Sequence, residues 1–312
     1  MTKRLAALAG LIILVGWSSG CKPKPEWQEK TLFVFDTACE IKLFGTSSQF
    51  KAAQKSITAV FQDIQEKFSP EAEDLSSPLV LELFRLSRHV CEDSDGAFDV
   101  TVKPLSRLWG FLHGSQYVPT PAQIHEALGR VGMGKVKDEG SRLLLQPGMG
   151  LDWGGIAKGL GVDRAAKALQ DLGIRAGFVN AGGNLYCWGK NPDGGPWKIG
   201  VRHPRQEGFL GVLSISDVGA ATSGDYQRYF QFEGIRYHHI FDPKTGYPAR
   251  GKQSVTVIGP EAAVCDALST ALFVSPDPER ILKKYPDYGA IIVDDSGRVS
   301  LLGKRFPFQL DQ

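Results

Sequence analysis

The chain lacks most of the features that assign a protein to a class at a glance. Its 36 Lys and Arg nearly cancel 34 Asp and Glu, leaving a net charge of +2. No surplus of either sign therefore argues for nucleic acid or an acidic polymer as partner. There is no C-x-x-C pair and no His/Cys spacing suited to zinc. Neither a G-x-G-x-x-G fingerprint nor a Walker loop occurs, so neither common nucleotide-binding fold is supported. Short-period repeats and low-complexity tracts are absent, and histidines number only six.

What is there is an ordinary globular composition, 42% apolar and 22% charged over 312 residues. Glycine is abundant, at 36 residues, and falls in clusters. Residues 1–20 read as a signal peptide. Lys3 and Arg4 form a basic start, Leu5 to Trp17 an apolar run shorter than the ~20 residues a spanning helix needs, and Ser18-Ser19-Gly20 a small-residue processing site. The ending at Cys21 resembles a bacterial lipoprotein signal, in preference to ordinary secretion or an uncleaved anchor, although Ser18 stands where that signal more often has Leu. Localisation is accordingly expected on the periplasmic side, lipid-anchored to the membrane through Cys21. Residues 21–30 are expected to be a polar linker, and 31–312 one compact unit. The remaining Cys39, Cys91, Cys187 and Cys265 are widely spaced and read as buried small hydrophobes.

Alternation over "TLFVFDTACEIKLFG" predicts a strand pair or one long strand. A helix over 50–68 buries Ala53, Ile57, Val60, Phe61 and Ile64; a second spans Leu79–Val90, and short helices cover 121–129 and 261–274. Residues 93–111 read as a turn followed by extended chain, 135–151 and 287–303 as hairpins, and 197–258 mostly as strands. Helices mixed with hairpin-connected strands, without regular βαβ alternation, predict an α+β fold of mostly antiparallel sheets with packed helices.

Five constellations carry chemistry. In "LDWGGIAKGLGVDRAAKALQDLG" (151–173), Gly154 and Gly155 feed a helix with Val162, Ala165, Leu169 and Leu172 as its buried stripe. A helix start of this kind suits phosphate, with Lys158 adding charge, but a plain tight turn explains it as well. In "FVNAGGNLYCWG" (178–189), Gly182-Gly183 permits close ligand approach or a strand bulge. "ATSGDYQRYF" (221–230) sets Ser223 and Asp225 in a polar turn ahead of aromatics. In "YHHIFDPKTGYP" (237–248), strand alternation puts His238 and Ile240 on one face and His239 and Phe241 on the other, so one histidine at most serves a site. In "EAAVCDALSTALFV" (261–274), Asp266 and Thr270 share a helix face; they form either an internal hydrogen bond or a hard-oxygen pair suited to Mg²⁺.

Taken in order, "GAFDVTVKPLSRLWGF", "LDWGGIAKGLGVDRAA", "VNAGGN", "TSGDYQRYF", "HHIFDPKTGYP" and "CDALSTALFV" resemble the periplasmic FAD:protein FMN transferases of the ApbE type. The resemblance runs from about Phe33 to the end and implies a single ApbE-like, T-fold-like unit. It implies Mg²⁺-dependent transfer of FMN from FAD, as substrate, onto a Thr or Ser hydroxyl of an exported acceptor protein of a membrane redox complex, with AMP released. The alternatives it leaves are an FAD pyrophosphatase and a non-enzymatic flavin-binding lipoprotein. It places Asp266, Thr270 and the Ala157 carbonyl on the metal. Ala97, Phe98, Asp99, Gly154, Gly155, Lys158, Leu160, Ser223, Asp225 and Ile240 are placed around FAD. Of the two histidines it selects His239 as general base. The sequence departs from the family at Phe35-Asp36-Thr37, where Met-Gly-Thr is usual, and in "FSPEAEDLSSPL", which lacks the usual closing Leu-Asn.

Overall fold

A computed structural model describes residues 24–72 and 74–311; the expected signal peptide and Cys21 lie outside the described residues. The linker expected through residue 30 ends early. Strand β1 (Glu26–Val34) pairs along its whole length with β2 (Thr37–Gly45), and Trp27 packs against Trp197. The connecting Phe35 and Asp36 both have positive φ, 54° and 56°, as a two-residue primed turn demands. Helix α1 (Ser47–Phe68) starts at a Thr46–Gln49 capping box and buries Ala53, Ile57, Phe61, Ile64 and Phe68; the expected Val60 is only half-buried. Helix α2 (Pro78–Asp93) begins on a proline, whose missing N–H costs nothing there.

The extended chain expected after the turn at residue 93 is helical instead. Asp99 caps a tight turn at Val100–Val102, and α3 (Lys103–Leu108) follows. The β-branched residues that suggested a strand are overridden by this local cap. Helix α4 (Pro121–Leu128) has a second capping box, and β3 (Lys137–Asp138) with β4 (Leu143–Leu144) forms the expected hairpin. Helix α5 (Ala157–Asp171) ends at Gly173 with φ 76°. Its expected fourth buried residue, Leu172, lies past the last helical turn and is 39% exposed.

Strands β5 (Ala176–Ala181) and β6 (Asn184–Trp188) are joined by Gly182 and Gly183, both at positive φ, so the pair makes a hairpin turn rather than a bulge. Next come β7 (Trp197–Arg202), β8 (Phe209–Ile215) and β9 (Val218–Gly224), then a small hairpin of β10 (Tyr229–Phe232) and β11 (Ile235–His238). Strand β12 (Lys252–Gly259), α6 (Ala262–Val274), α7 (Pro278–Leu282), β13 (Gly289–Asp294), β14 (Val299–Gly303) and β15 (Phe308–Leu310) complete the chain.

Eight strands form one antiparallel sheet in the order β1-β2-β5-β6-β9-β12-β13-β14. Helices α1, α5 and α6 cover one face, with Ile57, Phe61, Val162, Leu169 and Val179 in the core between them. The three-stranded sheet β15-β8-β7 covers part of the other face through Trp197, Leu213, Ile215, Leu185 and Ile258. The expected α+β architecture of antiparallel sheets with packed helices is therefore present. All four described cysteines are free and buried. No described helix is long and apolar enough to cross a membrane.

Candidate active site

Helices α5 and α6 meet closely enough to set the geometry of the site. A Cβ on Gly159 would lie 2.4 Å from the Ala262 carbonyl oxygen, so only glycine permits the approach. Asp163 on α5 accepts the N–H groups of Ala262 and Ala263, both at 2.8 Å, and thus caps α6. One turn along, Asp266 Oδ2 accepts the Gly159 N–H at 3.2 Å. Burial raises the Asp266 pKa, with Lys158 and the Gly159 N–H opposing. Thr270 lies one helical turn beyond, and its Oγ1 is 3.1 Å from Ser223 Oγ, which also reaches Ser269 Oγ at 2.8 Å.

These residues open onto a cleft of ≈1320 Å³. Its wall also holds Ala97, Phe98, Asp99, Gly154, Gly155, Ala157, Lys158, Ser223, His239 and Ile240. Most of the expected site is thus gathered from five separate stretches of chain. Two expected residues are not there. Leu160 is 6% exposed and packs into the core from the buried side of α5. Asp225 faces a separate pocket of ≈360 Å³, held by both terminal nitrogens of Arg205 at 2.7 and 2.6 Å and by Arg236 at 3.3 Å. Strand β9 ends at Gly224, between the two residues: Ser223 is still on the strand, whereas Asp225 lies in the turn beyond it and follows a different direction.

The helix start at α5 is less open than the glycines suggest. Gly154 N–H is spent on Asp152 Oδ1, Ile156 and Ala157 N–H groups on the Trp153 carbonyl, and Lys158 Nζ on the Gly154 carbonyl at 2.7 Å. Ala157 heads the helix, where its carbonyl serves the backbone ladder. Gly155 differs: the N–H that helical spacing would aim at its carbonyl, that of Gly159, goes to Asp266. A Cβ on Gly155 would sit 3.2 Å from both Thr270 Oγ1 and the Phe98 ring. A buried carboxylate of raised pKa, a hydroxyl and a spare carbonyl form a hard-oxygen set that fits Mg²⁺. No cluster of three His, Cys, Asp or Glu occurs among the described residues, so such an ion would need backbone or substrate oxygens.

The two histidines are separated by their hydrogen bonds. A carbonyl oxygen only accepts, so the 2.8 Å contact to Ala249 O puts a proton on His238 Nε2, and His238 Nδ1 accepts the Ile240 N–H at 3.2 Å. His238 is 2% exposed and both its nitrogens are committed. For His239, Nδ1 donates to the Arg228 carbonyl at 3.2 Å, which leaves Nε2 as the lone-pair nitrogen. Burial, followed by the Arg228 guanidinium, depresses the His239 pKa to about 3, so the ring is neutral. Asp242 accepts the Lys244 N–H at 2.9 Å and closes the turn that follows.

Asp99 lines the cleft, but its carboxylate is committed to Thr101 N–H and Oγ1 and to Met133 N–H. Its contribution to the site is the fixed backbone beside Phe98. Several lining residues carried no signal in the sequence: Asp152, which accepts from Ser106 Oγ at 2.6 Å; Arg228, whose guanidinium bonds the Phe111 carbonyl; and Asn184, Lys198 and Arg202. Asn184 comes from β6, Lys198 and Arg202 from β7, and Asp152 and Arg228 from segments between elements, with no shared spacing.

The ApbE family model matches residues 35–292. A curated FAD:protein FMN transferase of Vibrio cholerae is 31% identical over 303 residues, 88% of each chain. One of Haemophilus influenzae is 38% identical over 192 residues, 58% of this chain and 56% of that one, so this match spans about half of the relative. The crystal structure of an ApbE protein from Thermotoga maritima superposes with a TM-score of 0.83 at 34% identity, over 89% of this chain and 97% of that one.

Proposed function

The chain belongs to the ApbE family, and we propose that it transfers the FMN half of FAD onto a Thr or Ser hydroxyl of an exported acceptor protein, releasing AMP. The observation that carries the reading is the convergence of His239 Nε2, Asp266 and Thr270 on one cleft large enough for a dinucleotide. In the reaction the acceptor oxygen bonds to the FMN phosphorus and its proton passes to His239 Nε2. The bond from that phosphorus to the bridging oxygen breaks, and its electron pair leaves with AMP. Asp266, Thr270 and a backbone carbonyl at the start of α5, that of Ala157 or of Gly155, would hold Mg²⁺. Such an ion supplies charge neutralisation on the pyrophosphate. Ser223 fixes the Thr270 hydroxyl, Lys158 contributes a cation at the cleft wall, and Ala97, Phe98 and Ile240 offer an apolar bed. On the leader read from residues 1–20, the proposal extends to an enzyme on the periplasmic side, anchored through Cys21.

The test is incubation of the protein with FAD, Mg²⁺ and the exported proteins of its host. Flavin fluorescence on a protein band after denaturing electrophoresis is expected. Stoichiometric free FMN and AMP without a labelled band would instead identify a pyrophosphatase, and intact FAD a carrier.

A further inference from the structure

Strand β7 is the outermost strand of the small sheet, whose order is β15-β8-β7. The direction of its backbone groups follows from its neighbour. In β8, Ser214 N–H donates to the Pro307 carbonyl and the Leu210 carbonyl accepts from Asp311 N–H, so these alternate residues face the β15 side. Gly211, Leu213 and Ile215 therefore face β7, where they stand opposite Val201, Ile199 and Trp197. Lys198, Gly200 and Arg202 consequently turn their N–H and C=O groups away from the sheet.

They turn them into the cleft. Lys198, Ile199, Gly200, Val201 and Arg202 all line it. Side chains alternate between the two faces of a strand, so a cavity lined by five consecutive residues meets the strand on its edge. Free edges are usually blunted by charge. Here the Lys198 ammonium turns back onto Ser214 Oγ of β8 at 2.7 Å and the Arg202 guanidinium lies over the Tyr226 ring, while Gly200 between them has no side chain, so the backbone is left open. Two further features share the cleft. Asn184 is 3% exposed and its Oδ1 has no hydrogen-bond donor. Phe209, 57% exposed, lies against Gly200, where an added Cβ would come within 2.5 Å of its ring. At ≈1320 Å³ the cleft also exceeds the ~300–1,000 Å³ usual for one small ligand.

We propose that the free edge of β7 is the docking rail for the acceptor polypeptide, which adds to the small sheet as an extended strand and so carries its hydroxyl into the cleft. The proposal rests on the transferase reading, since water as acceptor needs no rail. Main-chain pairing to Lys198, Gly200 and Arg202 supplies affinity, and Phe209 an apolar contact.

Main-chain pairing has a period of two, and that is what the experiment reads. The full protein, FAD and Mg²⁺ are offered a synthetic library of peptides of about nine residues, a strand's length, each with a central Thr. The best-labelled member is then remade with a single N-methyl group at each position in turn. Methylation at alternate positions is expected to lower kcat/KM about tenfold or more, and at the interleaved positions by no more than about twofold. Equal sensitivity everywhere, no sensitivity, or a library without a labelled member overturns the proposal. A second arm compares Lys198→Pro with Lys198→Ala. Proline removes only an outward-facing N–H, which an edge strand tolerates, and should raise the peptide KM about tenfold over the alanine variant, with equal KM for FAD. Equal peptide KM values overturn it as well. Labelled host proteins without peptide periodicity would refute the rail and keep the transferase; free FMN alone would refute both.

Discussion

The carboxylate of Asp163, on α5, accepts a 2.8 Å hydrogen bond from the N–H of Ala263, in the first turn of α6. Glu261, the residue at the cap position, makes no side-chain cap of its own. The helix that carries Asp266 and Thr270 is thus held at its start by a residue from another helix. Asp163→Ala leaves the buried Ala262 and Ala263 N–H groups unpaired and is expected to cost about 2 kcal/mol, read as a lower urea midpoint. Mg²⁺ affinity should fall with it, because α6 loses its anchor beside the site. Unchanged stability would show that α6 is held by packing alone.

His239→Ala should lower transfer by about 10²–10⁴-fold, the usual worth of a general base, while FAD binding, followed by flavin fluorescence quenching, persists. His238→Ala should chiefly destabilise, because its two nitrogens bridge Ala249 O and Ile240 N–H. A larger loss of kcat in His238→Ala than in His239→Ala at equal folded fraction would reverse the assignment.

Asp266→Ala removes the only carboxylate of the hard-oxygen set and should abolish Mg²⁺-dependent release of AMP, with calorimetry showing weakened Mg²⁺ binding. Thr270→Ala, which leaves the charge, should lose less. Full turnover by Asp266→Ala would refute the metal assignment.

Acidification should act through both histidines. Burial depresses His238 to about 4 and, with Arg228, His239 to about 3, from an ordinary 6.5. A depressed pKa contributes stability that is present above 6.5 and is lost as pH falls toward the folded value. Asp163 has the opposite sign: burial lifts it to about 7, so its contribution is present at low pH and is lost as pH rises through that value. Asp163→Asn removes this opposing group, and its stability should fall more steeply than wild type between pH 7 and 4. The ring resonances of His238 and His239 should keep their neutral positions at pH 5; titration near 6.5 would contradict the buried environment.

Much of the fold was legible because its signals are local. The helical stripe of α1, the apolar spacing of α2 and Gly173 after α5 each act within a few residues. The misread stretch at 93–111 failed for the same reason in reverse: Asp99 caps a turn that β-forming residues would otherwise extend. At the site, Asp266 and Thr270 were readable as a helical pair, and "HHIFDPKTGYP" as a place where only one histidine serves. Leu160 and Asp225 lie outside the cleft because their motifs straddle a buried helix face and the end of a strand.

The sequence by itself determined the kind of fold, the family likeness and the short list of chemically able residues, since these depend on residue type and short-range spacing. The tertiary structure decided which atoms are free. Only the carbonyls of Ala249 and Arg228 distinguish the nitrogens of His238 from those of His239. Only the packing of α5 on α6 diverts the Gly159 N–H from Gly155 to Asp266. Only strand order turns the backbone of Lys198, Gly200 and Arg202 toward the cleft. Each is a hydrogen bond, or the lack of one, between segments far apart in the chain, and no short-range pattern encodes it.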